Sequence, residues 1–489
     1  SSIAADTTWT KSQSPILINE TLTIAVGATL TIESGITLTL ADKVSIRVQG
    51  GLKARGSESD PIRVEGGQND SGQARWGSIT FKEGSTDASF SQLDDYENGS
   101  IVEWVIFDHG TQALRLEGTS PYVHRCTFQN NYSGEAGGPA ITATKGSRAR
   151  IRNNTFADNY ADGFSAWGGA VLVESSDVIL QDNTFERNKS YYGGGLTTNI
   201  AAGPIVGNTF NDNDGQWEGG GLSMVTTCSA FLNNTVTNNH SAADGGGVHV
   251  CVDCFPHANP TVMDNVISNN KNDIVGAAGI GAAHIRFFRD NDIFDNERFN
   301  KSSNFAWFNE HFDVYPSWSV NPDIANNWWG TTDSATVAKS INDGEDDATY
   351  GKAVFEPVAT GPVAKPRTRV MITTRKIRYN LDQEEMPVFL TIYNPGAARE
   401  VELFVYLQYG AIGPLPYRGT ISFPNAEKTA SGFKLKLPEN SVFFDTLIKP
   451  NYEEQKALPE GRWYAVLVDS STGERIGETN FARFLMGGG

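Results

Sequence analysis

The sequence predicts an all-β chain in which a long parallel β-solenoid precedes a β-sandwich. Three observations carry that expectation. A six-residue template recurs through the middle of the chain, a glycine-rich marker recurs about half a period before it, and after Pro366 both give way to longer alternating strands. The charge divides at the same place. The 489 residues carry a formal net charge of -18, and residues 1–366 hold 24 Lys+Arg against 43 Asp+Glu while residues 367–489 hold 15 against 14. A chain this acidic repels phosphate backbones and anionic lipid, which excludes nucleic-acid binding and electrostatic membrane attachment as general modes. No apolar run reaches the length of a transmembrane segment.

The template reads CTFQNN (126–131), NTFADN (154–159), NTFERN (183–188), NTFNDN (208–213), NTVTNN (234–239), NVISNN (265–270) and NDIFDN (291–296). Its apolar third positions, Phe128, Phe156, Phe185, Phe210, Val236, Ile267 and Ile293, are 25 to 31 residues apart. The second marker is GGAV ending at Val171, then GGGL at Leu196, GGGL at Leu222 and GGGV at Val248. Short β-branched pieces between Gly and Asn turns do not make helices, and coils of about 25 residues stacked at strand spacing make a parallel β-solenoid. Template position one is Asn at Asn154, Asn183, Asn208, Asn234, Asn265 and Asn291, and position six is Asn from Asn131 through Asn159, Asn188, Asn213, Asn239 and Asn270 to Asn296. Asn tolerates left-handed backbone, and its amide both donates and accepts, so two stacked structural ladders are expected.

These repeats are similar to those of polymorphic outer-membrane proteins and, more broadly, of right-handed parallel β-helix proteins. The opening LTIAVGATLTIESGITLTL, RWGSITF (75–81) and NNWWGT (326–331) resemble the first and last coils of secreted members. The resemblance implies a right-handed parallel β-helix over 19–360, with 1–18 as an N-terminal extension or assembly strand and 361–366 as a linker. The strands RVMITT, PVFLTIYNPG, VELFVYLQYG, GFKLKL and RWYAVLVDSSTGE predict a sandwich over 367–486, before a Gly tail at 487–489. That segment resembles the Ig-like modules of bacterial extracellular proteins and is expected at the end of the solenoid opposite the first residues. An extracellular or cell-surface location follows from the resemblance, with a signal peptide removed beforehand.

The candidate chemistry is thin. Asp158, Asp212 and Asp295 share template position five, but Arg187, Asn238 and Asn269 interrupt them, so solvated turns are expected rather than a carboxylate pair. The seven His residues do not recur at one template offset. No cofactor is expected, with Asp212 and Asp214 as a weak calcium candidate. Trp167, Tyr192 and Trp217 precede the glycine marker and form a candidate row for sugar rings; packing against one another is the alternative. Cys228 and Cys254 each lie six residues after an aliphatic marker, which predicts a disulfide between adjacent coils; Cys251 with Cys254 is the rival pairing. Nine N-x-S/T sequons occur, of which Asn153 and Asn233 precede ladder positions and are the expected glycan acceptors. The resulting functional expectation is a non-catalytic extracellular structural protein. It would assemble head-to-tail with copies of itself into a filament or surface layer, or act as an adhesin on surface glycans. The alternative is a polysaccharide-binding or polysaccharide-degrading protein, a lyase or a hydrolase, which requires charged side chains gathered on successive coils.

Overall fold

The computed structural model describes all residues except 70–71, 92–93, 135–136, 251–259, 275, 283–284, 286, 299–300, 308–322, 344–351, 364–366, 375–377, 381–386, 410–414, 417–425, 431, 449–459 and 488–489. Nearly every regular element is a strand. Three long sheets of parallel strands run along the first part of the chain, each coil giving one strand to each. The first sheet includes Leu114–Glu117, Ile141–Thr144, Val171–Glu174 and Leu196–Asn199; the second Ile101–Glu103, Tyr122–His124, Arg150–Arg152 and Ile179–Gln181; the third Val105–Asp108, Thr127–Gln129, Thr155–Ala157 and Thr184–Glu186. A fourth, shorter sheet begins at Tyr132–Ser133.

The template position that is always apolar points inward. Phe107, Phe128, Phe156, Phe185 and Phe210 stack ring on ring, with centroids 4.6 to 5.0 Å apart along the axis. Coil spacing and aromatic stacking distance coincide, so one side chain type serves these five coils before Val236, Ile267 and Ile293 take its place. The glycine marker has a separate cause. Gly168, Gly193, Gly219 and Gly245 hold φ between +62° and +74°, and a Cβ on the following Gly169, Gly194 or Gly220 would collide with the backbone carbonyl of the next coil.

Residues 1–18 are not a free extension. Ser2–Ile3, Thr7–Trp9 and Ile16–Ile18 pair in parallel with Leu22–Ile24, Thr29–Ile32 and Thr37–Leu40, forming the first coil of the same solenoid. All five sequence segments expected as strands of the sandwich contain strands. Arg369–Thr374, Val388–Asn394 and Ser441–Ile448 form one antiparallel sheet; Arg399–Tyr409, Phe433–Leu437, Glu460–Asp469 and Arg475–Gly487 belong to the other. Its position differs from expectation. Instead of standing beyond the solenoid's end, the sandwich lies on its flank: Met371, Tyr393 and Val442 pack on Val206, Ala230, Leu232 and Met263, and Phe389 packs on Ala202 and Cys228. Beside this apolar contact, buried Arg369 donates to Asp264 at 2.7 and 2.8 Å and to Asp290 at 2.7 Å. The acidic solenoid therefore meets an arginine of the near-neutral part along its side, where opposite charges and apolar side chains both face the contact.

Candidate functional site: a cleft on the second sheet

Each turn between the second and third sheets consists of one residue in the left-handed region followed by a ladder position. Arg125, Asn153, Asp182, Asn233, Asp264 and Asp290 hold φ between +53° and +59°, directly before Cys126, Asn154, Asn183, Asn234, Asn265 and Asn291. The ladder amides are saturated. Asn154 Nδ2 donates to Asn183 Oδ1 (3.0 Å) and to the Val123 carbonyl (3.1 Å), while its backbone N–H donates to the same Oδ1 (2.9 Å). This geometry repeats from coil to coil, and the second ladder does the same through Asn159, Asn188, Asn213, Asn239 and Asn270. The first ladder continues to Asn327 and the second to Asn304, both outside the repeated template.

Because the turn is fixed, the residue two before each ladder position always points outward from the second sheet. In register these residues are Arg55, Glu103, His124, Arg152 and Gln181. Five coils thus present an unbroken ionic and polar column, which sequence reading missed because only the template itself was aligned. The signal was available: His124, Arg152 and Gln181 each stand two residues before Cys126, Asn154 and Asn183.

Arg55, Glu103, His124 and Arg152 of this column form the floor of a cleft of about 500 Å³ lined also by Asp94, Tyr96, Tyr122, Arg125, Asn153, Asp182 and Asn440. One wall is the hairpin Ser89–Phe90 with Tyr96–Asn98, whose Tyr96 ring stacks on Tyr122 at 6.1 Å and whose Phe90 meets it edge-on at 5.2 Å. Another is the turn at Asn440 of the sandwich. Its carbonyl accepts from Gln181 Nε2 (3.0 Å) and Arg152 Nη2 (3.4 Å), and its Nδ2 donates to Asp182 Oδ2 (2.9 Å).

The lining holds five carboxylates, Asp94, Asp95, Glu97, Glu103 and Asp182, against Arg55, Arg125 and Arg152, so its charge is compensated only in part. Glu103 Oε1 lies 3.0 Å from His124 Nδ1, and its Oε2 lies 2.9 Å from Arg55. The hydrogen bond from His124, reinforced by Arg55 against partial burial, holds the Glu103 carboxyl below the usual range. Asp94 bridges Arg150 and Arg152. Burial pushes the Tyr122 phenol up, even though Arg152 hydrogen-bonds it, and burial also pushes the Asp182 carboxyl up. The His124 ring stacks on Tyr122 at 4.9 Å, and its Nε2 meets Asn153 Nδ2 at 3.2 Å. Arg125 lies over the Trp104 ring, 5.4 Å from its centroid.

The remaining candidates from the sequence are dispersed elsewhere. Trp167 and Tyr192 are bridge partners on adjacent coils, their rings edge to face at 6.0 Å. Trp217 leaves the row: a register shift sets Glu218 opposite Tyr192, and Trp217 stacks on Tyr191 instead at 6.1 Å. Asp212 occupies a left-handed turn, and Asp214 faces cations, with Lys189 at 2.7 Å and His240 at 3.1 Å. Among the described residues, no group of three or more His, Cys, Asp or Glu is arranged to hold a metal ion. Cys228 is buried near the sandwich, while Cys254 and its rival partner Cys251 lie outside the described residues. Asn233 is a poor glycan acceptor, because its Nδ2 donates to Tyr393 Oη at 2.9 Å in the contact between the two parts. Asn153 is exposed at the rim of the cleft.

Residues 95–293 match a family model described as the right handed beta helix region. The match spans the coils that build the cleft from Glu103 onward, and the fold is a right-handed parallel β-helix of the kind found among surface and polysaccharide-related proteins. No curated protein matches the chain. No helix among the described residues is long and apolar enough to cross a membrane.

Proposed function

We propose that the chain binds an acidic polysaccharide in this cleft and cleaves it by elimination. The observation that carries the reading is the in-register column Arg55, Glu103, His124, Arg152 and Gln181, the gathering of charged side chains on successive coils that such chemistry requires. Elimination beside a uronate carboxyl needs a base, a proton donor and a cation that stabilises the carboxylate as charge develops on it. Glu103 holds His124 through Nδ1, and Nε2, once the sugar displaces the Asn153 amide that meets it at 3.2 Å, takes the proton from the ring carbon beside the carboxyl. Arg125, exposed at the cleft, stands beside this position for the carboxylate, while Asp94 and Gln181 hold Arg152. Tyr122, kept neutral by burial, gives its proton to the glycosidic oxygen as the C–O bond breaks and the C=C bond forms.

Hydrolysis fits less well. A carboxylate pair for that reaction stands within about 10 Å. Glu103 and Asp182 are separated by three coil steps, about 14 Å at strand spacing, and both arginines facing Asp94 already engage its carboxylate. Incubation with polygalacturonate, alginate and glycosaminoglycans tests the reading. An unsaturated, ultraviolet-absorbing product that falls at least a hundredfold in His124→Ala and Arg125→Ala supports it; new reducing ends without unsaturation, or no product, count against it.

A second reading, self-assembly of copies of this chain, has one observation in its favour. Ser2–Ile3, Thr7–Trp9 and Ile16–Ile18 are the terminal strands of three sheets, each with one edge unpaired among the described residues, and Leu17 is 64% exposed. Electron microscopy over a concentration series tests it: polymers support it and uniform monomers oppose it.

A further inference from the structure

We infer that the cleft is closed at one end and takes the terminus of a glycan chain, not its interior. This rests on the proposed function and specifies which part of the substrate the site reads. The outward columns of the second sheet change character along the axis. From Arg55 to Arg152 they are ionic and face the cleft, and Gln181 lies buried beneath Asn440; at the next three coils the same positions are Val206, Leu232 and Met263, and the sandwich covers them. The boundary is sealed by one turn. Asn440, with φ 44°, touches Arg152, Gln181 and Asp182 together, so it stands across the floor of the cleft at its last coil. The strand pair Ser89–Phe90 with Tyr96–Asn98 walls one side, where Lys53 Nζ donates to Asn98 Oδ1 at 2.9 Å and Arg150 lies against Phe90. A chain laid along the column from Arg55 runs about 19 Å, four steps at strand spacing, before it meets Asn440. A polymer that continued beyond that point would have to displace the sandwich from Val206 and Leu232.

The test uses the full chain and hexasaccharides of galacturonate and of alginate, either free or tagged with a bulky aromatic group at the reducing or the non-reducing end. Binding is measured by calorimetry. The expected result is that a tag at one end weakens binding at least tenfold while the same tag at the other end has little effect. Equal binding of both tagged forms overturns the inference even if the enzyme cleaves polymer. Tight, end-selective binding without cleavage supports it while removing the proposed reaction. Failure of every hexasaccharide to bind overturns both. The variant Glu439→Gly with Asn440→Gly, with its melting temperature followed as a check on folding, is expected to relax the end preference. A folded variant with the preference unchanged would contradict the role given to this turn.

Discussion

Asparagine carries the architecture because it does two things that no other residue does together here. Its short amide follows a left-handed turn residue, and it bridges to the next coil as donor and acceptor at once. Asn208 shows the dependence: its Nδ2 reaches the carbonyls of Leu180 and Val206 and the Oδ1 of Asn234, while its own Oδ1 receives both Asn183 donors. Asn208→Leu removes one amide and strands several buried groups, each costing about 1–3 kcal/mol. Chemical denaturation is expected to show a loss of about 3–5 kcal/mol, where a change below about 1 kcal/mol would contradict the ladder account. A different single residue sets a pH dependence. Asp244 is fully buried, with Oδ1 accepting from the N–H groups of Gly245 (2.8 Å) and Ala277 (3.0 Å), and desolvation, aided by Glu218, pushes its carboxyl up to about 7. A carboxyl raised in the folded state favours folding below its unfolded value and loses that advantage as pH climbs through about 7. Asp244→Asn is therefore expected to stabilise the protein by about 2–4 kcal/mol near pH 9 and little near pH 4. Equal effects at both values would contradict the assignment. The ladder residues were legible in the sequence because they recur; Asp244 was not, since its environment comes from Gly276, Gly281 and Glu218 on neighbouring coils.

At the scale of elements, the informative pattern is the outward column of the second sheet. Inward positions repeat with little variation, as Phe128, Phe156, Phe185 and Phe210 do, so the core was readable from the template alone. Outward positions differ on every coil because each coil faces a different neighbour: solvent and the hairpin near Tyr122, the turn at Asn440 near Gln181, and the sandwich from Val206 onward. Reading them requires the register, which becomes available once the ladder is known to fix which residue points out. The displaced Trp217 shows the same point, since one extra residue between Gly215 and Glu218 moves it off the row, an offset visible in its standing five residues before Leu222 where Trp167 and Tyr192 stand four before Val171 and Leu196. The contact between solenoid and sandwich depends on Arg369. Its side chain is only 5% exposed and faces Asp264 at 2%. Arg369→Met leaves Asp264 charged and buried, expected to cost about 3–5 kcal/mol. Adding Asp264→Asn, which removes the charge and keeps a residue that accepts the left-handed backbone, is expected to recover most of that loss. Denaturation curves that show no recovery in the double variant would contradict the pairing.

For the whole molecule, the solenoid's length gives the sandwich a flank to dock on. The charge division noted in the sequence marks two units, yet they do not lie end to end: the near-neutral unit lies along the acidic one and limits its groove. That placement depends on Met371, Tyr393 and Val442 facing outward from their own sheet, a feature that alternating strands suggest but whose partner the sequence does not identify. The central claim is that the column from Arg55 to Gln181 is the glycan site. A crystal structure of His124→Ala soaked with a galacturonate or alginate hexasaccharide tests it most directly. The account predicts sugar density along Arg55, Glu103, Arg152 and Asn153 with its last ring against Asn440. Density confined to the aromatic patch at Trp167 and Trp217, or an empty cleft at saturating ligand, would contradict it.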